Sequence, residues 1–148
     1  MLNEGDKAPY FSELNSGGKK VVLYFYPQDD TPTCTREGIE FSERRDEFLQ
    51  KNAIIMGVSP DSPKSHEKFC TKFNLKITLL SDPEKKWIEA YGVWGEKTLF
   101  GRTYMGVIRS TFLIDEKGII QAIWRGVRMD GHVDEVLGAF KPEPSPIP

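Results

Sequence analysis

Long apolar runs are missing from this chain. No stretch approaches the roughly 20 residues that a bilayer-spanning helix needs, so no membrane partner is expected. The opening residues, MLNEGDKAPYF, show no basic flank followed by an apolar segment. They do not read as a secretory leader, and a cytoplasmic location is the expectation. An excess of one charge is also missing: 20 Lys and Arg stand against 22 Asp and Glu, a net charge of −2. That near balance offers no field to attract nucleic acid. Histidine is limited to His66 and His132, and neither C-x-x-C nor H-x-x-x-H spacing occurs. A zinc site from Cys34, Cys70 and His66 has no such spacing behind it, so neither a metal nor another cofactor is expected.

Cysteine is scarce, with Cys34 and Cys70 alone in 148 residues. A purely structural disulfide does not suit a reducing compartment, and a domain this long does not need one to fold. Both thiols are therefore inert and buried, or at least one does chemistry.

What is present is a regular alternation of elements. VVLYFY (21–26) is an apolar, β-branched run ending at Pro27 and reads as a strand buried on both faces. After the polar turn QDDTPTC, one long helix is expected to about Gln50, with Phe41 and Phe48 on its apolar face. AIIMGVS (53–59) reads as a second buried strand. Ser62 before Pro63 marks a helix start, and that helix should run to about Asn74 with Phe69 and Phe73 facing the core. ITLL (77–80) is a third strand and Lys85 to Tyr91 a short helix. The stretch from Gly92 to Val107 reads as a long connection. STFLID and GIIQAIW then form a hairpin about Asp115–Gly118, and a last helix covers His132 to Phe140. Early strands separated by helices imply parallel crossovers, and a late hairpin adds antiparallel strands. The expected class is α/β: a central mixed sheet flanked by helices on both faces. Residues 1–140 are expected to form one domain. The tail KPEPSPIP (141–148) is Pro-rich and expected to be disordered.

Cys34 follows a buried strand and opens a helix. Thr31 can cap that helix, with Pro32 at its first position. The sulfur would lie near free backbone N–H groups and the positive end of the helix dipole, and both favour the thiolate. Sites in open α/β sheets gather at the carboxyl ends of strands, where Cys34 falls.

These residues resemble a known family. YFYPQDDTPTCT (24–35) is similar to the active-site loop of peroxiredoxins, specifically the bacterioferritin comigratory protein, or peroxiredoxin Q, subfamily. The pattern Pro-x-x-x-Thr-x-x-Cys falls on Pro27, Thr31 and Cys34. GVWGEKTLFGRTYMGVIRSTFLID (92–115) resembles the same subfamily and carries Arg109 at the position of its active-site arginine. LLSDP (79–83) and GHVDEVL (131–137) also fit. Thr33 stands where the family usually has Gly, and Glu37 matches a family Glu that could orient an arginine.

The resemblance implies a thioredoxin-like fold and a thiol peroxidase acting on hydrogen peroxide and organic hydroperoxides, recycled by thioredoxin or a similar dithiol donor, as a monomer. Cys34 would attack a peroxide oxygen and become a sulfenic acid. Thr31 would bond the sulfur or the peroxide, Arg109 would stabilise the thiolate and the leaving oxygen, and Pro27 would shield the site. Thiolate formation alone is insufficient: moving a cysteine's pKa from 8.5 to about 6 gains only about 30-fold at pH 7. The remainder must come from alignment and charge. Many relatives place a resolving cysteine five residues after the first, which here is Ile39. Cys70, on the next helix, resembles an alternative arrangement with an intramolecular disulfide. Its closure would require the Cys70 helix or the Cys34 turn to loosen. Two rival readings are a one-cysteine peroxidase resolved by an external thiol and a redox sensor without turnover.

Overall fold

The computed structural model describes residues 1–140; the Pro-rich tail lies outside the described residues. β1 (Lys20–Phe25) and β2 (Ala53–Ser59) are the apolar runs, and nearly every residue in them is buried. They sit inside a five-stranded sheet with β3 (Thr78–Ser81), β6 (Ser110–Ile114) and β7 (Ile120–Arg125), in the order β3-β2-β1-β6-β7. β1, β2 and β3 are parallel, whereas β6 runs antiparallel to β1, and β7 antiparallel to β6. The mixed sheet expected from element order is present.

Period-two alternation along β1 divides the core. Val21, Leu23 and Phe25 face a cluster with Phe112, Tyr91 and Ile88, the last from α4 (Lys86–Ala90). Val22, Tyr24 and Tyr26 face the other side. There they meet Phe41 of α1 (Pro32–Glu43), Phe48 of α2 (Arg45–Gln50), Phe69 of α3 (Pro63–Phe73) and Val136 of α5 (His132–Gly138). Helices thus cover both faces. The phenol tip of Tyr24 reaches over Gly57 of β2, its register partner: a Cβ there would stand 2.7 Å from the Tyr24 ring. Only glycine admits the ring at that position.

Two expectations are corrected. The single helix to Gln50 is two helices, because Arg44 leaves helical geometry (φ −101°, ψ 5°). Its guanidinium bonds both Glu47 and Asp134 of α5, and Phe48 still reaches the core against Phe41, ring centroids 5.9 Å apart. The break belongs to this tertiary docking; no glycine or proline marks it. The presumed connection 92–107 is a β-ribbon of β4 (Trp94–Leu99) and β5 (Arg102–Val107). Phe100 and Gly101, both at positive φ, form its two-residue turn. The usual Asn-Gly signal is absent, and the strands are mostly exposed. Phe100 at the turn stands in solvent, and Tyr104 of β5 is exposed too.

Candidate active site

Strand direction builds the site. β6 enters antiparallel beside β1, so its first residue, Ser110, pairs with Phe25 at the last position of β1. Arg109, just before β6, therefore arrives where the chain leaves β1 for the Cys34 loop. Cys34 sits in the first turn of α1 and is 2% exposed. Arg109 Nη2 lies 3.3 Å from Cys34 Sγ, and Nη1 donates to Glu37 Oε1 at 2.5 Å. Glu37 is one turn along α1 from Cys34, so one guanidinium bridges two points of one helix face.

The charges are tightly coupled. Burial works against the Arg109 charge, but Glu37 and Cys34 together outweigh it and hold its pKa above the usual value. Glu37 is fully buried and its Oε2 has no hydrogen-bond partner among the described residues. Desolvation pushes its pKa up to about 7, with Arg109 opposing. This has a measurable consequence for stability. The folded carboxyl holds its proton to about pH 7, while an unfolded glutamate releases it near 4.5. The favourable contribution is complete below about pH 4.5 and is lost as pH rises through 7. The slope in between approaches about 1.4 kcal/mol per pH unit. In urea denaturation from pH 5 to 8, the difference in stability between the wild type and Glu37→Gln should carry this slope, other titrating groups such as His132 being common to both proteins. Parallel curves would sink the assignment.

Thr31 holds the N-cap backbone position, but its side chain makes no cap bond. Its hydroxyl donates instead to the Gln28 carbonyl at 2.8 Å, within the turn, and makes no bond to the sulfur. The expected cap is thus absent because the hydroxyl is spent on closing the loop. Pro27 is half-buried at the start of the same loop.

Cys70 lies on α3, whose N-cap Ser62 accepts from the Ser65 N–H at 3.1 Å. Both cysteines are free thiols. Cys70 is half-buried and opens on a cleft lined by His66, Leu79, Leu80 and Trp87, whereas Cys34 faces Arg109. Burial, and then the charge of Asp29, push the Cys70 thiol's pKa up. Tyr24 lies within electrostatic reach of both thiols, and desolvation followed by Glu37 and the two cysteines raises its pKa. Lys97 of the ribbon also feels the site: burial and Arg109 lower its pKa while Cys34 opposes them. Sequence reasoning did not select Tyr24 or Lys97: both fall inside the blocks 24–35 and 92–115, but only the sheet and ribbon bring them near the thiols. Among the described residues one group has metal-like spacing, Asp29, Asp61 and His66, with ligand atoms within 4.8 Å of one another. The ligand atoms of all three are hydrogen-bonded within the protein.

A buried thiol held against a guanidinium at the carboxyl end of β1, on a thioredoxin-like sheet, defines a peroxiredoxin. The chain belongs to the AhpC/TSA family, which matches residues 3–123, and within it to the bacterioferritin comigratory protein, or peroxiredoxin Q, subfamily. It is 49% identical over 138 residues to the peroxiredoxin Bcp of Bacillus subtilis, covering 93% of this chain and 88% of that one. A PrxQ cysteine mutant from Xylella fastidiosa superposes with a TM-score of 0.84 at 39% identity, covering 93% and 94% of the two chains. The Xanthomonas campestris bacterioferritin comigratory protein, described for its alkyl peroxide reduction activity, gives a TM-score of 0.78 at 42% identity over 82% of this chain and 78% of that one. As a family member the protein is a peroxidase. Among the described residues, no helix is long and apolar enough to cross a membrane.

Proposed function

We propose that the protein reduces hydrogen peroxide and organic hydroperoxides through a Cys34 sulfenic acid, resolved by Cys70 and recycled by thioredoxin or a similar dithiol donor. The observation that carries this reading is the 3.3 Å approach of Arg109 Nη2 to Cys34 Sγ. The thiolate attacks one peroxide oxygen, the O–O bond breaks, and the other oxygen leaves as water or alcohol after taking a proton. Arg109 donates to the sulfur before attack and to the leaving oxygen as its charge grows. The Thr31 proton is committed to Gln28, so its oxygen is free to accept from the peroxide O–H. Pro27, which has no N–H, closes the loop against water without offering a competing donor. The Cys34 sulfenic acid then condenses with the Cys70 thiol, releasing water and leaving a disulfide. One chain supplies every group, which supports action as a monomer.

The test is a nonreducing mass of protein treated with one equivalent of peroxide. Both thiols should disappear and the chain should be two hydrogens lighter. Cys70→Ser should stop after one turnover with a dimedone-reactive sulfenic acid on Cys34. A wild-type product retaining a free Cys70 thiol would point to resolution by an external thiol instead. A coupled assay with thioredoxin and its reductase tests the recycling step.

A further inference from the structure

One buried carboxylate ties the Cys34 loop to the helix that carries Cys70. Asp29 is 8% exposed and stands five residues before Cys34. Its Oδ1 accepts from the Tyr26 hydroxyl at 2.6 Å. Its Oδ2 accepts from the Ser65 hydroxyl at 2.8 Å and from His66 Nδ1 at 2.7 Å, both in the first turn of α3. Its backbone N–H donates to Asp61 Oδ2 at 2.7 Å, in the loop before α3. Asp61 in turn accepts from the Ser59 hydroxyl. His66 Nε2 faces the Leu80 carbonyl at 3.1 Å, so both ring nitrogens meet acceptors and an imidazolium satisfies both. Burial opposes the charges of Asp29 and His66, but their mutual bonds prevail: the Asp29 pKa is lowered and that of His66 raised.

The two halves of α3 are therefore held differently. The first turn is fastened by charge-assisted bonds. From Phe69 onward the helix is held by packing and by the exposed Lys72–Asp30 pair at 2.7 Å, and it ends at Asn74 in the left-handed region. His66 and Cys70, four residues apart, share a face across that divide. Cys34 and Cys70 open on different surroundings, so closing a bridge requires one of the two segments to move, and both are anchored on Asp29.

We propose that Asp29, with Ser65 and His66, is a latch that keeps α3 wound while Cys34 reacts with peroxide, and whose release sets the rate of the resolving step. The inference rests on Cys70 as the resolving thiol. In that step the Cys34 sulfenic sulfur is reduced and the Cys70 sulfur oxidised, the S–O and S–H bonds give way to S–S, and the hydroxyl leaves with the thiol proton as water. The negative charge of Asp29 also helps to keep Cys70 protonated until the helix opens.

Trp87 lines the Cys70 cleft and supplies a fluorescence reporter. Stopped-flow mixing with hydrogen peroxide should show a peroxide-dependent phase for sulfenic acid formation and a peroxide-independent phase for disulfide closure. Asp29→Asn should speed the second phase about 10-fold and Ser65→Ala about 3-fold, as expected for losing charge-assisted bonds. Lys72→Ala, on the same helix but outside the latch, should change it less than about 2-fold. In the reduced proteins, amide exchange over residues 63–73 should quicken in the first two variants and not in the third. If Asp29→Asn misfolds, Ser65→Ala carries the test alone. Unchanged closure and unchanged exchange in a folded latch variant would overturn the proposal, as would slower closure. If the wild type forms no disulfide, the resolving role of Cys70 fails and the kinetic role of the latch fails with it. The exchange rates would then report separately whether Asp29 holds α3.

Discussion

Cys34→Ser is expected to abolish peroxide consumption, lowering the rate at least about a thousand-fold. Serine fits the same buried space, so the fold should persist, but its hydroxyl stays protonated at neutral pH and is a poor nucleophile toward an O–O bond. Cys70 should not substitute. Burial and Asp29 hold it in the thiol form, and it opens on the cleft beside Leu79 and Trp87 rather than toward Arg109. The measurement is peroxide loss in a thioredoxin-coupled assay, beside a circular dichroism melt to establish folding. Undiminished turnover in the folded variant would remove Cys34 from the reaction.

The second large effect belongs to Arg109. Arg109→Met should lower the second-order rate constant for Cys34 oxidation by about 100- to 1,000-fold, the usual consequence of removing a donor aimed at developing charge. Arg109→Lys should recover only part of this. A single ammonium cannot reproduce the fork that reaches Cys34 Sγ with Nη2 and Glu37 Oε1 with Nη1. Above about pH 7, where the carboxyl ionises, the Met variant should also be less stable by about 3 kcal/mol, because it strands the wholly buried Glu37 charge without its partner. Adding Glu37→Gln should restore much of that stability and little of the rate. This split separates the two tasks of the guanidinium, which a purely structural arginine would not show. Restoration of both together would mean that Arg109 acts only as a packing and charge-balancing group.

The candidate site was partly legible because its first elements are local. Pro27, Thr31 and Cys34 fall within eight consecutive residues, and a buried strand running into a Pro-started helix announces itself in composition. Arg109 was legible only through resemblance, since nothing near it separates a catalytic arginine from a surface one. The Thr31 hydroxyl illustrates the limit of local reasoning. The N-cap position follows from the sequence, but the choice between a helix N–H and the Gln28 carbonyl depends on how the loop closes. The ribbon at 94–107 escaped notice because its strands are exposed and its Phe100–Gly101 turn lacks the common signal. The break at Arg44 escaped because its cause is docking against α5.

The amino-acid sequence by itself determined the strands that must be buried, the helix start that holds Cys34, and the mixed character of the sheet. These follow from periodicity and chain stiffness, which act over a few residues. Only the tertiary structure decided that Arg109 meets Cys34 across 75 positions, that Glu37 completes the bridge, and that Asp29 fastens the α3 helix. Those contacts depend on the register in which β6 lies beside β1 and on burial, which makes each unpaired charge costly enough to select its partner.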